Sequence, residues 1–130
     1  LGRPSLHTHM RVQRWTLDEM AMPGQLFEDI VEQLYRHDRF MSGDLVLGGR
    51  RIGPEMVDCP LLSVVNPASR VIPPQSVLPF HEAAASGTKT LLEYRGDQGV
   101  ALQHVGVLVG TRAHATVWPR VVDWLQEVSA

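Results

Sequence analysis

Cysteine is nearly missing from this sequence: Cys59 is the single one in 130 residues. One thiol excludes an internal disulfide framework and any multi-cysteine zinc site. A block of one charge sign is also lacking. Twelve basic residues face 14 acidic ones, for a net charge of -2, which argues against an electrostatic nucleic-acid binder. No apolar run approaches the roughly 18 residues that a membrane span needs. The opening Leu1-Gly2-Arg3-Pro4 has neither the pattern of a signal peptide nor an initiating Met. Phosphate loops are absent: Gly106 and Gly110 lack a following Lys-Ser/Thr, and no Gly-x-Gly-x-x-Gly follows a strand. No Gly-x-Ser-x-Gly nucleophile elbow, or cysteine equivalent, occurs either. What remains is ordinary, with 44% hydrophobic, 20% charged and 6% aromatic residues. That length suits one domain, and the apolar content excludes a mostly disordered polypeptide. Composition predicts a soluble, cytoplasmic protein and names no chemistry.

The order of local patterns is more informative. Residues 1–22 are mixed and polar and read as an irregular arm or short helix. After Pro23-Gly24, the residues Leu26, Phe27, Ile30, Val31, Leu34 and Tyr35 recur on one helical face. Glu28 and Asp29 lie early in that helix and Arg36, His37 and Arg39 near its end, as the helix dipole favours. Leu45-Val46-Leu47, Gly48-Gly49 and Arg50-Arg51-Ile52 predict a short hairpin. Leu61–Val65 is a short apolar run bounded by loop signals, typical of a strand buried on both faces of a parallel sheet. A helix is expected from about Ser76 to Ala85, with Pro79 in its first turn. Thr88–Tyr94 reads as a second strand, and Val105–Val109 as a further apolar run. A last helix carries Val117, Trp118, Val121, Val122, Leu125 and Val128 on one side. Strand, helix, strand, loop and helix in succession imply a parallel α/β layer of two to three strands.

Few side chains stand out as carriers of chemistry. Cys59, between Asp58 and Pro60, reads as a small residue at the edge of a core. His7 and His9 lack a carboxylate partner for a metal. His37, His81 and His114 occupy polar helix positions, where a solvated histidine is the default. His104 differs. It sits in Gln103-His104-Val105-Gly106 after the loop that follows the last strand. A loop at the carboxyl edge of the sheet is where α/β-hydrolase folds present a general-base histidine.

Around His104 the sequence resembles a known family. His104-Val105-Gly106-Val107-Leu108-Val109-Gly110, followed by Trp118-Pro119-Arg120-Val121-Val122-Asp123-Trp124-Leu125, is similar to the C-terminal end of polyhydroxyalkanoate synthases. Trp15, Asp18, Pro23 and Gly24, the pair Leu34-Tyr35, the stretch Gly43–Arg50 and the strand Cys59–Leu62 follow the family's order. The resemblance runs from about Trp15 to Leu125. It implies the C-terminal part of an α/β-hydrolase-like parallel sheet, preceded by a helical arm or cap segment. Residues 1–53 would form that segment with its hairpin, and residues 54–130 the half-domain.

The family uses a Cys-His-Asp triad, and His104 falls on its histidine, the general base. The expected acid is absent. In Asn66-Pro67-Ala68-Ser69-Arg70-Val71-Ile72-Pro73, Ser69 stands at the family's Asp position. A serine cannot hold an imidazolium by charge, and loss of a triad carboxylate costs about four orders of magnitude in rate. Asp97, seven residues before His104, is a substitute acid; Asp58, at the far end of its strand, is a poorer one.

Three readings follow. One is an acyltransferase or hydrolase acting on hydroxyacyl thioesters or polyesters, with no bound cofactor and a coenzyme A thioester as substrate. A second is a degenerate relative that binds a partner or an acyl ligand without turnover. A third is a folding or assembly subunit, inactive on its own. A whole α/β-hydrolase needs roughly twice this length or more, so the chain reads as the back portion of a larger domain. Its expected partner is an upstream segment or complementary subunit carrying the nucleophile, or a second copy, paired along the open edge of Leu61–Val65. The family resemblance adds polyester granules as a cytoplasmic location.

Overall fold

The structure, a computed structural model, describes residues 6–18, 21–96 and 102–129, the side chains of residues 6–9, 12, 16 and 102–104 excepted. The chain divides into two compact units, Leu1–Asp38 and Arg39–Ala130.

The first unit is helical. Helix α1 spans Leu6–Leu17, and α2 spans Gly24–Asp29. From Ile30 to Arg36 the chain continues in a wider π-type turn, which ends with the His37 N–H on the Glu32 carbonyl at 3.2 Å. The apolar residues 26, 30, 34 and 27, 31, 35 recur at intervals of four. That interval lies between the 3.6 residues of an α-turn and the larger repeat of a π-turn and is compatible with both. The expected helix is therefore present with a changed pitch. Ile30 and Val31 are half-buried, whereas Leu26, Phe27, Leu34 and Tyr35 remain exposed.

The second unit carries the β-structure. Strands β1 (Leu45–Leu47) and β2 (Arg50–Ile52) form the expected antiparallel hairpin, Leu45 opposite Ile52. Gly48 and Gly49 turn it with φ of 58° and 77°. Positive φ at both central residues is the turn whose twist matches a two-residue hairpin. Strands β3 (Leu61–Val65) and β4 (Lys89–Glu93) are parallel, in register from Leu61–Lys89 to Val65–Glu93. Helix α3 (Leu78–Ala83) joins them, with Pro79 in its first turn, where a missing N–H costs nothing. The Lys89 ammonium closes this unit by donating to the Glu82 and Ala84 carbonyls at the end of α3.

Beyond β4 come α4 (Leu102–Val109), α5 (Thr111–Thr116) and α6 (Trp118–Ser129). The Val105–Val109 run is thus helical, and Gly110 separates it from α5. The core lies between the sheet and these helices. Leu92 and Tyr94 alternate onto one face and meet Ala113 and Val117, with Leu62, Val64, Val107, Trp118 and Val121 packed around them. The Trp118 indole N–H donates to the Val107 carbonyl at 3.0 Å and ties α6 to α4.

The result is a mixed α/β unit around a small parallel pair, as the alternation of patterns implies. Among the described residues each sheet has two strands, and β3 is paired on one side only. No helix among the described residues is long and apolar enough to cross a membrane.

Candidate functional site at the carboxyl edge

Both parallel strands end at one cavity of about 240 Å³. The carboxyl edge is where open α/β sheets bind their ligands, because strand ends and following loops diverge there. Val64, Val65 and Asn66 line the cavity from the end of β3, and Tyr94 from the end of β4. The Tyr94 N–H bonds the Val65 carbonyl at 2.9 Å, so the two walls are fixed to each other. Ile72 and Val77 close a further side from the segment leading to α3, and Val107 enters from α4.

Ser69 is also in the wall, 6% exposed. Local hydrogen bonds hold it there. Asn66 Oδ1 accepts the Ala68 N–H at 2.9 Å, and the Asn66 carbonyl accepts the Ser69 N–H at 3.0 Å. Ser69 Oγ in turn accepts the Ile72 N–H at 3.1 Å. Short polar side chains closing their own backbone turns explain why Asn-Pro-Ala-Ser breaks the strand here. The lining is otherwise aliphatic apart from Asn66 and Tyr94. Among the described residues it holds no carboxylate, imidazole or ammonium.

Of the residues expected to carry chemistry, Ser69 is in the cavity wall. His104 has its backbone in the first turn of α4, three residues before Val107. Its side chain lies outside the described residues, and so does Asp97. The structure therefore brings Ser69 and helix α4, whose first turn includes His104, to one cavity. Asp58 and Cys59 are exposed at the opposite, amino-terminal end of β3. The backbone of His7 and His9 is in α1, with side chains outside the described residues. No group of three or more His, Cys, Asp or Glu residues among the described ones could hold a metal ion.

His81 departs from the expectation of a solvated surface residue. It is half-buried, and its Nδ1 shares a 2.9 Å hydrogen bond with Oγ of Ser63, a buried residue in the middle of β3. A polar helix position becomes a strand contact because the crossover lays α3 against the sheet. His114 is exposed, yet its Nε2 donates to the Leu108 carbonyl at 3.0 Å and its ring stacks on Trp118 at 6.2 Å. His37 is exposed, with Glu32 at 3.9 Å.

No protein-family model matches the chain, and no solved structure does. Relatives do. The chain is similar to the poly(3-hydroxyalkanoate) polymerase subunit PhaC of Haloferax mediterranei, 29% identical over 119 residues, covering 92% of this chain and 23% of that protein. The subunit of the same name from Thiocystis violacea is 28% identical over 120 residues, 92% of this chain and 32% of that protein. That of Haloarcula marismortui is 26% identical over 119 residues, with 92% and 24% covered. The chain is thus homologous to PhaC over about nine-tenths of its length, as the ordered motifs imply, and spans 23% to 32% of these relatives.

Proposed function

We propose that the chain is the C-terminal portion of a polyhydroxyalkanoate-synthase-like acyltransferase or hydrolase, which works on hydroxyacyl thioesters or polyesters. The supporting observation is the shared cavity. Ser69, at the family's acid position, and α4, which carries His104, meet at the carboxyl edge of β3 and β4. In this reading the parallel pair is the last part of an α/β-hydrolase sheet. Residues 1–53 serve as arm or cap, and residues 54–130 as the catalytic half-domain.

His104 acts as general base. It takes the proton of a thiol or hydroxyl nucleophile supplied by an upstream segment, a complementary subunit or a second copy. The acyl group then moves from the coenzyme A sulfur to that nucleophile. The proton passes from His104 to the departing thiolate, so coenzyme A leaves as the thiol. No cofactor is needed. The setting is cytoplasmic, at the surface of polyester granules.

A second reading has its own support. Ser69 supplies no carboxylate to orient an imidazole, so binding of an acyl ligand without turnover fits the same cavity. One experiment separates the two: release of coenzyme A from 3-hydroxybutyryl-coenzyme A by the polypeptide that unites this chain with its nucleophile, beside its His104→Ala variant. Release that falls at least about a hundredfold in the variant, the usual range for a general base, supports catalysis through His104. Equal rates remove His104 from the mechanism.

A further inference from the structure

Helix α1 presents one side to solvent with nothing packed on it. Each of its described side chains, Met10, Arg11, Gln13, Arg14, Trp15 and Leu17, is exposed. Met10, Arg14 and Leu17 stand at i, i+4 and i+7 and form one row; Arg11 and Trp15, four apart, form the adjacent row. These five therefore share one side of the helix, and apolar and cationic groups alternate on it. Trp15 is 65% exposed and Leu17 81%, which costs free energy in water and is regained wherever water is excluded. A helix of 12 residues is marginal in water unless a face of it is packed.

Charge indicates what covers this side. Arg3, Arg11 and Arg14 precede Asp18 without an acid among them, whereas the other nine basic residues face all 14 acids of the chain. Positive charge is thus in surplus only in this arm, although the whole chain carries -2. Arginines beside exposed Trp, Met and Leu suit an anionic lipid surface. The apolar groups enter the boundary between headgroups and acyl chains, and the guanidinium groups reach the phosphates. Trp is favoured at that depth because its ring is apolar and its N–H stays hydrated. From Asp18 to Asp38 the sign reverses, with Asp18, Glu19, Glu28, Asp29, Glu32 and Asp38 against Arg36. The same surface repels that stretch, so contact is limited to α1. We infer that α1 is a peripheral docking element for an anionic phospholipid surface, lying in its plane on the side formed by Met10, Arg11, Arg14, Trp15 and Leu17. This docking involves neither the cavity nor His104.

Co-sedimentation with vesicles of phosphatidylcholine, alone or mixed with phosphatidylglycerol, tests the docking. The chain should bind the anionic vesicles and leave them on addition of salt, and should bind the zwitterionic ones at least about tenfold more weakly. Each basic residue near an anionic surface is worth about fivefold in partition, so Arg11→Glu with Arg14→Glu should lower binding at least about 25-fold. Arg112→Glu with Arg120→Glu makes the same change of net charge at exposed positions of α5 and α6 and should leave most of the binding intact. Trp15 supplies a second readout. Tryptophan emission should shift to the blue on binding, and Trp15→Ala should remove the shift while Trp118 and Trp124 remain. Thermal melts and circular dichroism show that each variant is folded. Absence of binding to anionic vesicles, equal binding to both kinds, equal loss in the two double variants, or a blue shift that persists in Trp15→Ala overturns the docking. A concentration-dependent rise in mass that Arg11→Glu with Arg14→Glu abolishes, without vesicle binding, overturns it too and assigns this side of α1 to a second copy.

Discussion

The Ser69 hydroxyl accepts the backbone N–H of Ile72 at 3.1 Å, and this bond closes the loop at the cavity wall. Ser69, proposed above to stand at the acid position, therefore has a structural task as well as a place in the cavity wall. An aspartate there keeps an oxygen in reach of the same N–H and adds a charge that can hold an imidazolium. Ser69→Asp, in the polypeptide that includes the nucleophile, should raise coenzyme A release by at least about tenfold, towards the four orders of magnitude that a triad carboxylate supplies. Ser69→Ala, which offers no carboxylate either, should not reproduce that gain and should cost about 1 kcal/mol in urea denaturation, because the Ile72 N–H loses its partner. Coenzyme A release and denaturation curves for the two variants check both. No gain with Asp would detach position 69 from the acid role.

Ser63 and His81 make the second prediction. Their 2.9 Å bond links the middle of β3 to α3. Ser63→Ala and His81→Leu should each destabilise the chain by about 1 kcal/mol, and the double variant should cost less than the sum. A double-mutant cycle by denaturation reads the coupling directly. Strict additivity would show that the two groups do not interact in solution.

The parts legible in the sequence are those decided locally. Gly48-Gly49 between two apolar-containing runs specifies its hairpin, since few residues adopt positive φ twice in succession. Pro79 fits α3 only near its start, and the helix begins at Leu78. The ordered motifs from Trp15 to Leu125 were enough to point to the family to which the chain is homologous. What was not legible depends on distant partners. His81 occupies a polar helix position, and nothing around it indicates Ser63, 18 residues away. Val105–Val109 is too short for its period to separate strand from helix, and its helical form follows from packing of Val107 on the core. The pitch change after Asp29 likewise escapes a pattern that fits either helix. Of the site, Ser69 could be named from the motif, but its bond to Ile72 and the cavity beside it depend on how the loop folds back.

The hairpin supplies a third prediction that isolates backbone strain from packing. Gly48 and Gly49 have positive φ, and a Cβ at either would meet nothing within 4 Å. Gly49→Ala should therefore cost about 1–2 kcal/mol, the penalty of the left-handed region alone. Gly48→Asn should be nearly neutral, because Asn tolerates that region and Asn-Gly favours the same turn. Denaturation midpoints at constant m-value give the comparison.

Gly96 connects backbone geometry to ligand binding. It follows β4 and is buried against Tyr94, and a Cβ there would stand 2.6 Å from the tyrosine ring. No side chain can occupy that space unless the ring moves. Tyr94 is both a core residue beside Leu92 and a wall of the cavity, so moving its ring alters both. Gly96→Ala should destabilise the chain by about 1–3 kcal/mol, the usual cost of overpacking. It should also weaken binding of an acyl ligand in that cavity, with methyl 3-hydroxybutyrate as the probe, under conditions where the variant remains folded. Leu92→Ala provides the contrast. It leaves a void in the core and should cost about 2–5 kcal/mol, but it does not line the cavity. Ester titrations of the two variants below their melting temperatures distinguish the cases. Weakened binding in Gly96→Ala but not in Leu92→Ala ties the ligand to the Tyr94 wall; equal weakening in both would mean that loss of core order is responsible.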